Sequence, residues 1–245
     1  MSNIKSKGLI LKQTAFGEAN RMLTVFCEDL GIIQVSAYGA KSAKGRRSAA
    51  LQFMAYSEFV LKKGKGDILT VESAEAIDSF FPAQEDIRVL SLLNYFSEIT
   101  CAALGQNVED NNLLHLLLNT VYVCAYNKVP CALAKAVYEL RLAKNSGYMP
   151  ELASCLQCGR EVELPYFSYN GGLVCEGCAK KSPAIPIDTG CLHALTYILH
   201  ADDKKMFSFQ VSDAVLERLS ILAETYLLKH LDRDFKSLEY YKKII

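Results

Sequence analysis

The chain has 245 residues, 51% of them apolar, and its formal net charge is zero. This composition is typical of globular proteins and excludes collagen-like, low-complexity and highly charged disordered chains. The longest apolar stretch, residues 113–126, is interrupted by polar side chains and falls short of the roughly 20 residues of a membrane span. We therefore expect no membrane segment.

The charges are distributed unevenly along the chain. Residues 1–66 carry eleven Lys or Arg against four Asp or Glu, a net charge of +7, so the remainder carries −7. The N-terminus has only four consecutive non-polar residues, Gly8 to Leu11, and shows no signal peptide. These features favour a cytoplasmic protein whose N-terminal part binds a polyanion.

The first 80 residues are dominated by β-strand patterns. Aliphatic, aromatic and β-branched residues predict five strands at 8–13, 21–27, 31–39, 51–63 and 67–74. No stretch between them is long enough for a helical crossover, so we expect a small closed barrel. A five-stranded OB fold is the natural candidate, and an SH3-like barrel is the alternative that strand counting leaves open.

A basic loop, GAKSAKGRRS at 39–48, lies between the third and fourth predicted strands. Its basic residues are Lys41, Lys44, Arg46 and Arg47. On an OB barrel such a loop can pair with nucleic-acid phosphates, and the alternative is a solvated loop without a ligand. Tyr38, Phe16 and Phe53 could stack on bases, although core positions are the simpler expectation for each.

Helical periodicity replaces the strand pattern after Pro82. We predict helices from Asp86, from about 110 to 127, and from Pro130 to Gly147, followed by helices at about 188–201 and 212–231. The sequence thus predicts an α+β protein with an OB domain at 1–80 and a mostly helical domain at 81–245.

Four cysteines at 151–182 have the spacing of a metal site. Cys155 and Cys158 form one Cys-x-x-Cys pair, Cys175 and Cys178 form another, and the residues between them can fold as a hairpin. Four thiolates define a closed tetrahedral zinc site with no open position for substrate, so we expect one structural Zn²⁺ in a zinc-ribbon insert. Two redox dithiols are the alternative, but the βαβ context of a thioredoxin-like motif is missing.

Catalytic motifs are not recognisable in the chain. Gly64-Lys65-Gly66 lacks the third glycine of a dinucleotide loop, and neither Gly-x-Ser-x-Gly nor His-Glu-x-x-His occurs. His115, His193 and His200 are expected to be packing residues rather than ligands. We expect no catalytic residues and a protein that is not an enzyme.

The chain resembles the RecO family of bacterial recombination mediators and DNA repair proteins over nearly its full length. The resemblance is carried by residues 8–41 and 48–75, with Arg21 before a Met-Leu-Thr strand and a basic loop from Gly39. The four-cysteine insert and the closing segment 226–241, with its Arg-x-x-Lys-Ser pattern, continue it. Asn20 and Asp232 depart from the family pattern, which usually has an acid and a glycine there.

This resemblance implies a non-enzymatic protein at the nucleoid that binds single- and double-stranded DNA. It implies annealing of strands coated with single-stranded-DNA-binding protein and, with RecR, assistance to the loading of RecA. We expect phosphate contacts from five side chains, Arg21, Lys41, Lys44, Arg46 and Arg47. The C-terminal tail of the single-stranded-DNA-binding protein could dock near Lys229, Arg233 and Lys236. Alternatively, these cations could simply complement a helix dipole.

A rival hypothesis is an OB and zinc-ribbon protein that acts on RNA, either a ribosome-associated binder or an enzyme without a recognisable motif. An RNA binder would prefer RNA to DNA of the same sequence through 2′-hydroxyl contacts. An enzyme would show turnover that depends on a metal or a nucleotide.

Overall fold

The computed structural model describes residues 3–40, 46–63 and 68–245. Its contacts divide the chain into two compact units, residues 1–128 together with 235–245 and residues 129–234. The domain boundaries predicted above, 1–80 and 81–245, stay a prediction. None of the described helices is long and apolar enough to cross a membrane.

The N-terminal strands close into a five-stranded barrel. The strands are β1 (Ile4–Phe16), β2 (Asn20–Cys27), β3 (Gly31–Ala37), β4 (Tyr56–Lys63) and β5 (Leu69–Asp78). Their order around the barrel is β1-β2-β3-β5-β4, and β3 runs parallel to β5 while the other pairs are antiparallel. This is the strand order of the OB fold, so the OB prediction is confirmed over the SH3-like alternative.

The barrel interior is filled by side chains that alternate along the strands, as period-2 patterning requires. The largest fully buried ones are aliphatic or aromatic and include Ile10, Leu23, Val25, Val35, Phe59 and Leu61. A short helix, α1 (Arg46–Ala50), lies between β3 and β4.

The fourth strand is shorter than predicted. It begins at Tyr56 rather than at residue 51 because Met54 adopts a left-handed backbone conformation (φ 62°) that ends extended structure. Leu51 and Ala55 nevertheless pack into the barrel core, which explains their strand-like apolar pattern in the sequence.

Besides α1, the described part of the first unit contains four helices. They are α2 (Pro82–Glu85), α3 (Ile87–Ala103), α4 (Asn111–Ala125) and α9 (Lys236–Ile244). Asp86 and Asp110 cap α3 and α4 through their carboxylates, which explains why both helices begin where the sequence predicts. Glu98 of α3 accepts hydrogen bonds from the backbone and hydroxyl of Ser237 and so holds the start of α9.

The second unit is built around one buried helix. Its elements are α5 (Cys131–Asn145), β6 (Tyr166–Ser168), β7 (Gly172–Val174), α6 (Glu176–Ala179), β8 (Ile185–Pro186), α7 (Thr189–His200) and α8 (Asp213–Leu231). Every residue of α5 from Leu133 to Ala143 is buried. His115, His193 and His200, predicted to be packing residues rather than ligands, are all exposed, so the packing part of that prediction is wrong.

Candidate nucleic-acid interface and metal centre

The four cysteines of the predicted zinc-ribbon insert come together at one point. Their Sγ atoms all lie within 4.8 Å of one another, and those of Cys158 and Cys175 are 3.7 Å apart. A tetrahedral zinc ion with Zn–S bonds of about 2.3 Å separates its sulphurs by about 3.8 Å. The donor set and its spacing therefore fit a metal ion bound by four thiolates.

A turn, a hairpin and the start of a short helix create this cluster. Gly159 has a φ of +73°, a conformation that glycine adopts without strain, and its N–H donates to the carbonyl of Cys155. The second pair lies at the start of α6, where Gly177 is helical rather than a turn residue. Strands β6 and β7 pair as the hairpin predicted between the two cysteine pairs.

Backbone donors favour thiolates in the cluster. Burial by itself would raise the pKa of Cys155, but N–H groups of Cys175, Cys158 and Gln157 outweigh burial and lower that pKa to about 6. The N–H of Cys178 likewise lowers the pKa of Cys175. Hydrogen bonding to the Cys175 sulphur instead raises the pKa of the Cys178 thiol to about 12. Backbone hydrogen bonds thus favour the thiolate, the form that binds a cation, at Cys155 and Cys175.

Arg21, the first predicted phosphate ligand, is half-buried at one end of the barrel. It lies on β2, opposite Ala15 of β1 and Ala37 of β3. Its Nη1 donates to Oε1 of Gln13 at 2.6 Å, so a neutral carboxamide orients the guanidinium without neutralising it. Gln13 was not among the site residues predicted from the sequence, and no motif there marks it.

Aromatic side chains lie beside a second arginine at the end of β3. The guanidinium of Arg47 is exposed and donates to the carbonyl oxygen of Tyr38 at 3.4 Å. Tyr38 as a whole residue is 55% exposed, and its ring meets Phe16 edge to face, with 5.9 Å between ring centroids. The core expectation is therefore wrong for Tyr38, whereas Phe16 and Phe53 are half-buried.

Part of the predicted DNA-binding set lies outside the described residues. Lys41 and Lys44 belong to the segment that the structure does not describe, and only the backbone of Arg46, in α1, is described. The assignment of these three residues stays a prediction.

The predicted partner residues lie in the last turn of α8 and in the sequence that follows it. Lys229 is exposed in the last turn of α8 and its ammonium donates to Oδ1 of Asn170, while Arg233 is exposed beyond the helix end. Lys236, also exposed, begins α9 and belongs to the other compact unit. Tail binding here stays a prediction.

Two family models account for almost the whole chain. The one described as Recombination protein O N terminal matches residues 1–80, and the one described as Recombination protein O C terminal matches residues 84–239.

Curated relatives match from end to end. A DNA repair protein RecO of Acetivibrio thermocellus is 34% identical over 100% of this chain and 98% of its own length. A protein of the same name from Alkaliphilus metalliredigens is 31% identical over 98% of this chain and 99% of its own length. Another, from Caldicellulosiruptor bescii, is 29% identical over the full length of both chains.

Proposed function

The chain belongs to the RecO family, and from this premise we propose that it is a DNA-binding mediator of recombinational DNA repair. It binds single- and double-stranded DNA and anneals complementary strands that carry single-stranded-DNA-binding protein. With RecR it assists the loading of RecA. It acts in the cytoplasm, at the nucleoid, without chemical turnover.

The observation that carries this proposal is the combination of cationic and aromatic side chains at one end of a closed OB barrel. Arg21 and Arg47 both donate to neutral oxygen acceptors. Tyr38, which lies in the sequence between β3 and the basic loop, is more than half exposed. Cations that track phosphates, together with exposed rings on which bases stack, are the usual equipment for binding single strands.

The proposed mechanism of annealing is electrostatic. Arg21, Lys41, Lys44, Arg46 and Arg47 neutralise phosphates and release counterions, so two strands approach with less mutual repulsion. Base identity is then read by pairing between the strands rather than by the protein. This mechanism predicts steep salt dependence and little sequence preference.

We assign a structural role to the metal, and we propose that it is one Zn²⁺ held by Cys155, Cys158, Cys175 and Cys178. When bound, the ion cross-links two segments of the insert, and such binding contributes on the order of 10 kcal/mol to the folding of a small segment. Among the described residues, the possible metal-binding group consists of these four cysteines and includes no histidine or carboxylate.

A fluorescence annealing assay tests the function. Two complementary strands coated with the cognate single-stranded-DNA-binding protein are mixed with this protein, without nucleotide, across a salt series. We expect acceleration that fades as salt rises. Absence of annealing despite DNA binding would contradict the mediator role, and preference for RNA over DNA of the same sequence would favour the RNA-binding alternative.

A variant that lacks three positive charges tests the role of the basic loop at 39–48. Lys44→Ala/Arg46→Ala/Arg47→Ala should flatten the salt dependence of DNA binding because fewer counterions are released. The matched control is Lys180→Ala/Lys181→Ala/Lys204→Ala, which removes the same charge from exposed positions of the second unit. An unchanged slope in the first variant would exclude the segment from the interface.

Peptide titration tests the proposed partner site. We expect Lys229→Ala/Arg233→Ala to weaken binding of the acidic C-terminal tail of the single-stranded-DNA-binding protein, and Lys180→Ala/Lys181→Ala to leave it unchanged. Equal affinity in all three proteins would refute the assignment.

A further inference from the structure

A cavity of about 660 Å³ lies within the first unit, beside the end of the barrel that carries Arg21. Its walls come from β1 and β2, from the turn after α1, and from α2, α3 and α9. Ala40 and Ser48, which lie near the two ends of the basic loop at 39–48, both line it. The volume lies within the range of pockets that hold small ligands, and it is sufficient for a nucleotide.

The lining of this cavity is rich in side-chain amides. Gln13, Gln52, Gln84 and Asn94 supply four carboxamides, and Arg21 supplies the cationic group. None of the lining residues that the structure describes is acidic. The cavity therefore suits a ligand that offers both donors and acceptors and that carries neutral or negative charge.

Two buried polar atoms at this cavity have no hydrogen-bond partner among the described residues. They are Oε1 of Gln52, an acceptor, and Nε2 of Gln84, a donor. Buried polar groups in native proteins are nearly always paired, so each exception calls for an explanation. Both atoms have almost no accessible surface, so they can pair with a ligand in the cavity only when the two amides turn toward it.

The turn that carries Gln52 is held in place by the arginine that faces the same cavity. Arg21 donates to Gln13, and the Gln13 amide in turn donates to the carbonyl oxygen of Leu51. Met54 then takes a left-handed conformation (φ 62°), and its N–H donates to the carbonyl of Ile10 at 2.8 Å. Strained backbone of this kind is retained where the surrounding structure fixes a functional site.

We propose that this cavity receives one unstacked nucleobase of a bound single strand, with the Gln52 and Gln84 amides on the base edge and the Phe53 ring available for stacking. Carboxamides pair with base edges through one donor and one acceptor, as Gln and Asn do with adenine. Rotation of each amide exchanges its donor and acceptor, so the cavity accepts any base. The adjacent Arg21 then faces the strand's phosphate, and in this respect the inference rests on the proposed function.

The test compares two single strands of equal length and charge, one with all its bases and one in which every base is absent. Wild-type protein should bind the complete strand roughly tenfold more tightly, because only that strand gains base hydrogen bonds and stacking. Gln52→Leu/Gln84→Leu should lose most of this difference and keep the salt slope of the wild type. Gln106→Leu/Asn112→Leu, which alters exposed amides outside the cavity, is the matched control.

The outcomes separate the cavity from the phosphate contacts. Equal binding of both strands by the wild type would overturn the base site and leave the proposed DNA binding intact, and this result needs no variant. A base-dependent difference that survives in Gln52→Leu/Gln84→Leu, with folding verified by thermal unfolding, would also overturn it. If Gln52→Leu/Gln84→Leu lost affinity for an acidic peptide but for neither strand, the cavity would be a peptide site. Binding of neither strand would remove the proposed function itself.

Discussion

At the scale of single residues, the two departures from the family pattern are accommodated by local geometry. Oδ1 of Asn20 accepts a hydrogen bond from the N–H of Gly39 at 3.0 Å, a role that a carboxylate oxygen would also fill. Asp232 ends α8 with a φ of 48°, the left-handed conformation that glycine usually provides at that position. Asparagine and aspartate are the non-glycine residues that adopt this conformation most readily, so the helix end is preserved.

Lys135, in the buried helix α5, is a buried charge with two acidic partners. Its ammonium lies 2.8 Å from Glu139 and 2.8 Å from Glu224, and the side chains of Lys135 and Glu139 are only 4% and 0% exposed. We expect Lys135→Met to destabilise the second unit by about 3–5 kcal/mol, because it leaves two carboxylates beside an apolar group. Chemical denaturation measures the loss.

The double variant Lys135→Met/Glu139→Leu is the control for this prediction. Replacing a buried ion pair by apolar residues of similar volume is often close to neutral, so the double variant should recover most of the stability lost in the single one. A double variant as unstable as Lys135→Met would show that packing rather than charge determines the loss.

At the scale of elements, the β2–β3 hairpin depends on one glycine. Gly31 has a φ of +65°, and a Cβ at this position would overlap with the carbonyl group of Val108. The neighbouring Ile32 accepts a hydrogen bond from the N–H of Asn107 at 3.1 Å, which explains the close approach of the two backbones. We expect Gly31→Ala to cost about 2–4 kcal/mol of unfolding free energy, measured by chemical denaturation.

Gly17→Ala offers a matched comparison. Gly17 has a similar φ of +59°, but its added Cβ would meet only the amide of Asn20, at 3.5 Å. This variant should cost about 1 kcal/mol, the strain of the left-handed conformation alone. Equal losses in both variants would contradict the role assigned to Val108.

The insert that contains the cysteine cluster is expected to depend on its metal. Cys158→Ser should lower the metal content from about one ion per chain to near zero and expose residues 151–182 to proteolysis, because metal binding supplies much of the folding free energy of such a small segment. Elemental analysis and mass spectrometry of the fragments measure both effects. Cys101→Ser, at an exposed cysteine outside the cluster, should change neither, and metal retained by Cys158→Ser would contradict the four-thiolate assignment.

At the scale of the whole molecule, the net charge of +7 on residues 1–66 against −7 on the remainder predicts that the phosphate contacts come from the N-terminal part. Removing one phosphate contact on a single strand lowers the magnitude of the log–log salt slope by about 0.7. We expect this change in Arg47→Ala, measured by fluorescence anisotropy across a salt series. Arg160→Ala removes an exposed charge from the insert and should leave the slope unchanged; the reverse pattern would move the interface to the insert.

The sequence by itself determined the elements whose signals are local. Strand alternation, the helix caps Asp86 and Asp110, and the spacing of Cys155, Cys158, Cys175 and Cys178 each depend on a few neighbouring residues. The structure agrees with them. The OB barrel needed one further fact, the strand order, because strand counting fits more than one barrel.

Only the tertiary structure decided which polar side chains face one another. The start of β4 was misplaced because Leu51 and Ala55 are buried by the barrel although they lie in a turn. The cavity of Gln13, Arg21, Gln52 and Gln84 unites residues from two strands, a turn and a helix, and no spacing in the chain indicates that they meet. The physical reason is that the burial and pairing of amide side chains depend on neighbours distant in sequence. Helix caps, the periodicity of strands and helices, and Cys-x-x-Cys pairs depend on neighbours within a few residues.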